Sequence, residues 1–169
     1  MIDPYTELHD HDLGEPIEVI EGLAAASGWP YERVADDEMV VSLEGSWGKY
    51  ELRAVWGRGV DRILQLMLFP DIKLLDDRRS ALAETLGLIN EHVWLGHFEL
   101  WSQGGIIVYR NSVLLSEDGT LSQDMADTLI GAALEEAERF FPVFQFVLWG
   151  GKTPADAIAS ALIETRGEA

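Results

Sequence analysis

The sequence contains no cysteine. That removes disulfides, thiolate metal ligands and a cysteine nucleophile. Cations are scarce: Lys and Arg number 12 against 30 Asp and Glu, a formal charge of −18 over 169 residues. This balance is unsuited to a phosphate backbone, whose counterions are displaced by Lys and Arg, so nucleic acid is not an expected partner. There is no glycine-rich phosphate loop, because Gly45, Gly48, Gly57 and Gly59 are spaced as hairpin glycines. No serine sits in a nucleophile elbow, and no Ser-His-Asp set can be named. The first residues carry Asp3, Glu7, Asp10 and Asp12 without the basic and apolar segments of a secretory leader. The most apolar run, residues 140–149, holds Pro142 and Gln145 and is too short to cross a bilayer. The expectation is a cytoplasmic protein without membrane insertion, catalytic residues or cofactor.

Histidine and aspartate are the remaining candidates for metal chemistry. His9-Asp10-His11-Asp12 lies in a polar stretch, residues 1–13, that reads as a flexible tail. A real site needs converging ligands and an outer shell to orient them. His92 and His97 are five apart across the helix stop Gly96, whereas a helical metal pair needs a spacing of four. Asp76-Asp77 beside Arg78-Arg79 reads as a helix cap. No metal site is expected.

The rest, residues 14–169, reads as one domain. Ile17, Ile20, Leu23 and Ala24 share one face of a first helix that starts near Pro16 and stops at Gly28. Residues 29–31 read as a loop. Three alternating segments follow, residues 39–44, 49–56 and 60–69, joined by short glycine-containing turns, and predict an antiparallel meander. Residues 76–95 carry the helical stripe Leu82, Leu86, Ile89 and Val93, which Leu75 extends at its start. Strands at 97–103 and 106–115 follow, then a long helix from Leu121 in which Pro142 should cause a kink or break. Thr153-Pro154 starts a last helix. The predicted class is α+β, an antiparallel five-stranded sheet with helices in the order α-β-β-β-α-β-β-α-α.

Three groups of residues carry a family resemblance: residues 90–100 (Asn-Glu-His-Val-Trp-Leu-Gly-His-Phe-Glu-Leu), Val108-Tyr109-Arg110, and 141–145 with Leu148-Trp149-Gly150-Gly151. In order and spacing they resemble the YbjN-domain family in its alphaproteobacterial form. That family is similar in fold to type III secretion chaperones. The resemblance implies a small cytoplasmic regulator or chaperone-like binder and supplies no catalytic residues.

The functional expectation is therefore a non-enzymatic protein-binding domain that captures a protein or peptide segment through apolar surface. The alternative is a small metal-dependent enzyme or metabolite-binding domain built on His and Asp. Ile63, Met67 and Phe69 on the second face of an apolar strand, with Trp101, predict surface for a partner or for a homodimer. Phe146 and Trp149, further candidates for partner contact, fall on the side of the long helix away from the sheet, where the last helix is expected to fold back over them, as a permanent cap or as a displaceable lid over a partner groove. Asn90 and Arg110 are polar ligand candidates. Their bland reading is that Asn90 satisfies backbone groups and Arg110 pairs with a nearby acid.

Overall fold

The computed structural model describes residues 13–57, 61–74 and 76–166. In chain order the elements are β1 (Leu13–Gly14), α1 (Pro16–Ser27), β2 (Tyr31–Ala35), β3 (Glu38–Glu44), β4 (Lys49–Gly57), β5 (Ile63–Pro70), α2 (Arg79–Asn90), β6 (His97–Leu100), β7 (Ile107–Leu114), β8 (Leu121–Ser122), α3 (Gln123–Leu148) and α4 (Pro154–Arg166). A short 3-10 turn, Asp76–Arg78, precedes α2. The pair β1 and β8 forms a small sheet of its own, and the main sheet is antiparallel in the order β2-β3-β4-β5-β7-β6.

The main sheet thus has six strands where five are expected. The extra strand is β2, which meets the stretch read as loop only at Tyr31 and otherwise occupies residues 32–35, to which the sequence assigns no element. It lies at an edge, and all five of its residues are exposed. No face of it is buried, so it lacks the alternation by which a half-buried strand is read. Leu13, read with the tail, belongs to β1 and pairs with Ser122. The motif His9-Asp10-His11-Asp12 and Leu75 lie outside the described residues.

The class is α+β, as the element pattern implies. Inward residues of the central strands, among them Met39, Val41, Leu52, Leu64, Leu66, Leu68 and Tyr109, form one core with Ile17, Ile20, Leu82, Ile89 and the buried face of α3. The strand alternation and the helix stripes meet there. Gly28 ends α1 in the left-handed region and the Thr153 hydroxyl accepts from the Asp156 N–H at 3.3 Å, as the sequence implies, while α3 is capped by the Ser122 hydroxyl, which accepts from the Met125 N–H at 3.1 Å. Asp76 and Asp77 do not cap α2: they lie in the preceding 3-10 turn, and Arg78 stands at the N-cap without a side-chain bond.

Two helices depart from expectation. The α2 helix stops at Asn90, well short of Leu95, because the Asn90 side chain is drawn to β6. The α3 helix runs through Pro142 as a continuous 26-residue helix. The ring removes the bond to the Glu138 carbonyl. Around it Phe140, Phe141, Val143 and Phe144 are all buried, and their packing holds the turn.

The side chain of Glu138 fastens the tip of the β3–β4 hairpin to α3. Its carboxylate accepts from the backbone N–H of Ser46 at 2.6 Å and of Trp47 at 3.4 Å, and from the Tyr50 hydroxyl. Trp47 stacks on Phe141 with ring centroids 5.9 Å apart. A Cβ at Gly45 would crowd the Glu138 carboxylate and come 2.8 Å from the Tyr50 ring, so a side chain there would displace this contact.

Candidate functional site

Among the described residues, the four α-helices bury their apolar faces on one side of the main sheet, and the other side carries strand side chains. The register fixes what stands there. One row runs Glu32, Val40, Arg53, Met67, Arg110 and His97 across the six strands. Met67 and Val108 are buried on this side yet stand apart from the main core. In the register Met67 lies between Arg53 and Arg110. Arg53 pairs with Glu38 at 3.2 Å.

Around Glu99 the β6–β7 end of this face is built from polar and aromatic groups. The Glu99 carboxylate accepts from Trp101 Nε1 at 2.9 Å, lies 2.8 Å from His97 Nε2, and is 3.1 Å from Arg110 Nε. Arg110 also donates to Gln65 Oε1 at 3.3 Å and lies over the Trp101 ring at 5.8 Å. Trp101 meets Phe69 edge-on at 5.6 Å. Partial burial works to raise the Glu99 carboxyl, but the bonds from Trp101 and His97 and the charge of Arg110 outweigh it and hold the group below the usual carboxylate range. At the far end of the face, the paired residues Ile63 and Leu114 are 40% and 67% exposed. The arrangement offers aromatic edges, arginine and a carboxylate bonded by three neighbours. Among the described residues no three His, Asp or Glu side chains cluster to hold a metal ion.

The profile of the YbjN family, described as "Putative bacterial sensory transduction regulator", matches residues 16–146. The chain belongs to the YbjN family. Its fold is similar to a chain in the crystal structure of the ExsC-ExsE complex, at 15% identity and a TM-score of 0.53, covering 73% of this chain and 88% of that one. The resemblance to type III secretion chaperones therefore holds at the level of fold. No curated protein matches the sequence.

On this YbjN fold the six apolar residues singled out by sequence are not one surface. Ile63, Met67, Phe69 and Trp101 share the uncovered side of the sheet. Met67 is only 8% exposed, so it is a floor and not an open contact. Phe146 and Trp149 stand at the end of α3. The α4 helix packs against α3 and α2, burying Ala157, Ile158 and Ala161. Phe146 is partly buried against the core, with Lys152 Nζ 4.2 Å from its ring centre. Trp149 escapes α4 and remains 52% exposed, a correction to the expected cover. Asn90 and Arg110 both spend their polar groups internally, on the Phe98 backbone and on Glu99.

Sequence reasoning passed over Trp94, which is 96% exposed. It sits in the loop between α2 and β6, just before Gly96, whose φ of 74° and close approach to Tyr109 exclude a side chain. The early end of α2 put Trp94 in a loop, and that end was not legible from the helical stripe. Among the described residues, no helix is long and apolar enough to cross a membrane.

Proposed function

We propose that residues 14–169 act as one non-enzymatic, cytoplasmic protein-binding domain, a chaperone-like or regulatory adaptor. The observation that carries this reading is the one-sided fold: all helices lie on one side of a six-stranded sheet, and the other side is left uncovered with an exposed edge strand, β2. An uncovered sheet face and a free edge are the two features by which extended segments are recognised, through side-chain pockets and main-chain hydrogen bonds. The family description, a regulator, agrees with a binding role.

The occupant proposed for the uncovered face is a second copy of the chain, placed over Ile63, Leu114, Phe69 and Trp101. The partner proposed for β2 is an extended segment carrying basic residues. Its Glu32 and the neighbouring Asp37 form an acidic border beside the Arg53–Glu38 pair, and Arg33 is already paired with Glu21 at 2.9 Å. Self-pairing of two β2 strands across a two-fold axis is disfavoured in the three registers centred on the middle of the strand, which set like charges opposite one another: Glu32 on Glu32, Arg33 on Arg33, or, centred on Val34, Glu32 on Asp36.

Light scattering on the full chain tests the first part. A dimer at micromolar concentration that becomes a monomer in Leu114→Glu is expected, and a monomer at high micromolar concentration would remove the dimer. Selection from a library of extended peptides, with a photocrosslinker at Val34, tests the second. Basic, alternating peptides crosslinked at Val34 are expected, and selection of acidic or helical peptides would overturn it.

A further inference from the structure

Residues along an antiparallel strand alternate in the neighbour to which they turn their backbone groups. Trp101 donates its N–H to the Ile106 carbonyl at 2.9 Å, toward β7. By alternation Glu99 and His97 also face β7, and Phe98 and Leu100 face the outer edge of β6. The Phe98 groups on that edge are both taken. Its N–H donates to Asn90 Oδ1 at 2.7 Å, and its carbonyl accepts from Asn90 Nδ2 at 3.0 Å. One primary amide thus presents a donor and an acceptor side by side, the pattern a residue of a neighbouring strand would present. The opposite orientation of the amide would set donor against donor, so the assignment is unambiguous.

The clamp is held from both ends. Asn90 follows Ile89, which is fully buried. The Phe98 ring is fixed by edge-on contacts with Tyr109, Phe140 and Phe144 at 5.4, 6.0 and 5.6 Å. The opposite edge of the sheet, β2, is exposed along its whole length.

We propose that Asn90 stands in for a missing strand and makes the sheet one-ended, closing β6 to strand addition and leaving β2 open. The occupant it excludes is β2 of a second copy of this chain. With both edges open, β6 of one molecule could pair with β2 of the next, a head-to-tail contact that does not close on itself and grows into chains. This inference takes from the reading above only the openness of β2, and it does not depend on any partner.

The test uses the full chain with Asn90→Ala, alone and combined with Arg33→Pro. The Ser42 N–H donates to the Pro30 carbonyl at 2.8 Å, so by the same alternation Arg33 turns its N–H to the free edge, and proline there removes a free-edge donor without removing a bond to β3. The Phe98 amide in Asn90→Ala should exchange with deuterium at least tenfold faster, with β4 and β5 amides unchanged. Sedimentation should show species larger than the parent that increase with concentration, and adding Arg33→Pro should return the parent profile. Unchanged Phe98 exchange, a parental profile for folded Asn90→Ala, or large species that persist with Arg33→Pro would each overturn the proposal. Should Asn90→Ala fail to fold, Asn90→Asp carries the same readouts, because it keeps the acceptor for the Phe98 N–H and loses only the donor.

Discussion

Glu138 illustrates how much one exposed-looking acid can hold. Its carboxylate serves three donors on a hairpin 88 to 92 residues away in sequence. Glu138→Ala would leave the Tyr50 hydroxyl and two backbone N–H groups to find water, a loss of about 1–3 kcal/mol by the usual cost of stranded donors. The expected result is a lower thermal midpoint and a Trp47 emission shifted to the red. Partial burial works to raise the Glu138 carboxyl, but the Tyr50 and Ser46 bonds outweigh it and hold it low. A depressed carboxyl contributes stability that is fully present above its unfolded pKa, about 4.3, and is lost as pH falls through the folded value. Acid titration of Glu138→Ala should therefore show less loss of stability below pH 4 than the parent. At the other extreme, burial, aided by the Glu136 charge, pushes the Tyr109 phenol up to about 12, and burial with the Glu138 bond pushes Tyr50 up as well. Here the sign reverses: the contribution is present below the unfolded pKa of about 10 and is lost as pH rises through the folded value. Ultraviolet titration should find two of the four tyrosines neutral at about pH 11 and ionising only as the fold opens. Four smooth ionisations near pH 10 would contradict this.

At the scale of elements, α4 is the piece whose role can be decided by removal. It buries Ala157, Ile158 and Ala161 against α3 and α2, and Lys152 covers Phe146. Truncation after Lys152 should expose that seam, lower the thermal midpoint by several degrees and increase binding of a hydrophobic dye. An unchanged midpoint with no added dye binding would show that α4 contributes nothing to the core. The elements also show what a sequence reveals. Strands β3, β4 and β5 were legible because Met39, Val41, Leu52, Ala54, Leu64 and Leu66 alternate with groups that face the uncovered side. The β2 strand was not, since an edge that buries nothing leaves no period to detect. Family motifs around residues 90–100 could be seen as a string, but not their geometry. That Asn90 would leave its helix to bond Phe98 depends on a contact made only after α2 and β6 are brought together. The place of Trp149 failed for a related reason: helical projection gives the side of α3 on which it stands, not how far α4 reaches.

The whole molecule carries a charge of −18, and its self-repulsion opposes compactness. Raising salt from low ionic strength to about 0.15 M shortens the screening length to ~8 Å, so the thermal midpoint should rise over that range. A midpoint that falls with added salt would mean that the ion pairs on the sheet, Arg53 with Glu38 and Arg110 with Glu99, outweigh the net repulsion. The same one-sided build that leaves the sheet face uncovered also divides the chain between a broad, long-paired sheet and a small two-stranded one. The small sheet joins Leu13 and Gly14 to Ser122 and Leu121, and so ties the start of α1 to the start of α3. Under mechanical load applied from the N-terminal side, those two residue pairs take the force first and open one after the other, like a zip. The central strands, with up to eight paired residues each, then bear it in turn. A stretched molecule should yield in two stages, a soft early release of α1 followed by a much stiffer sheet.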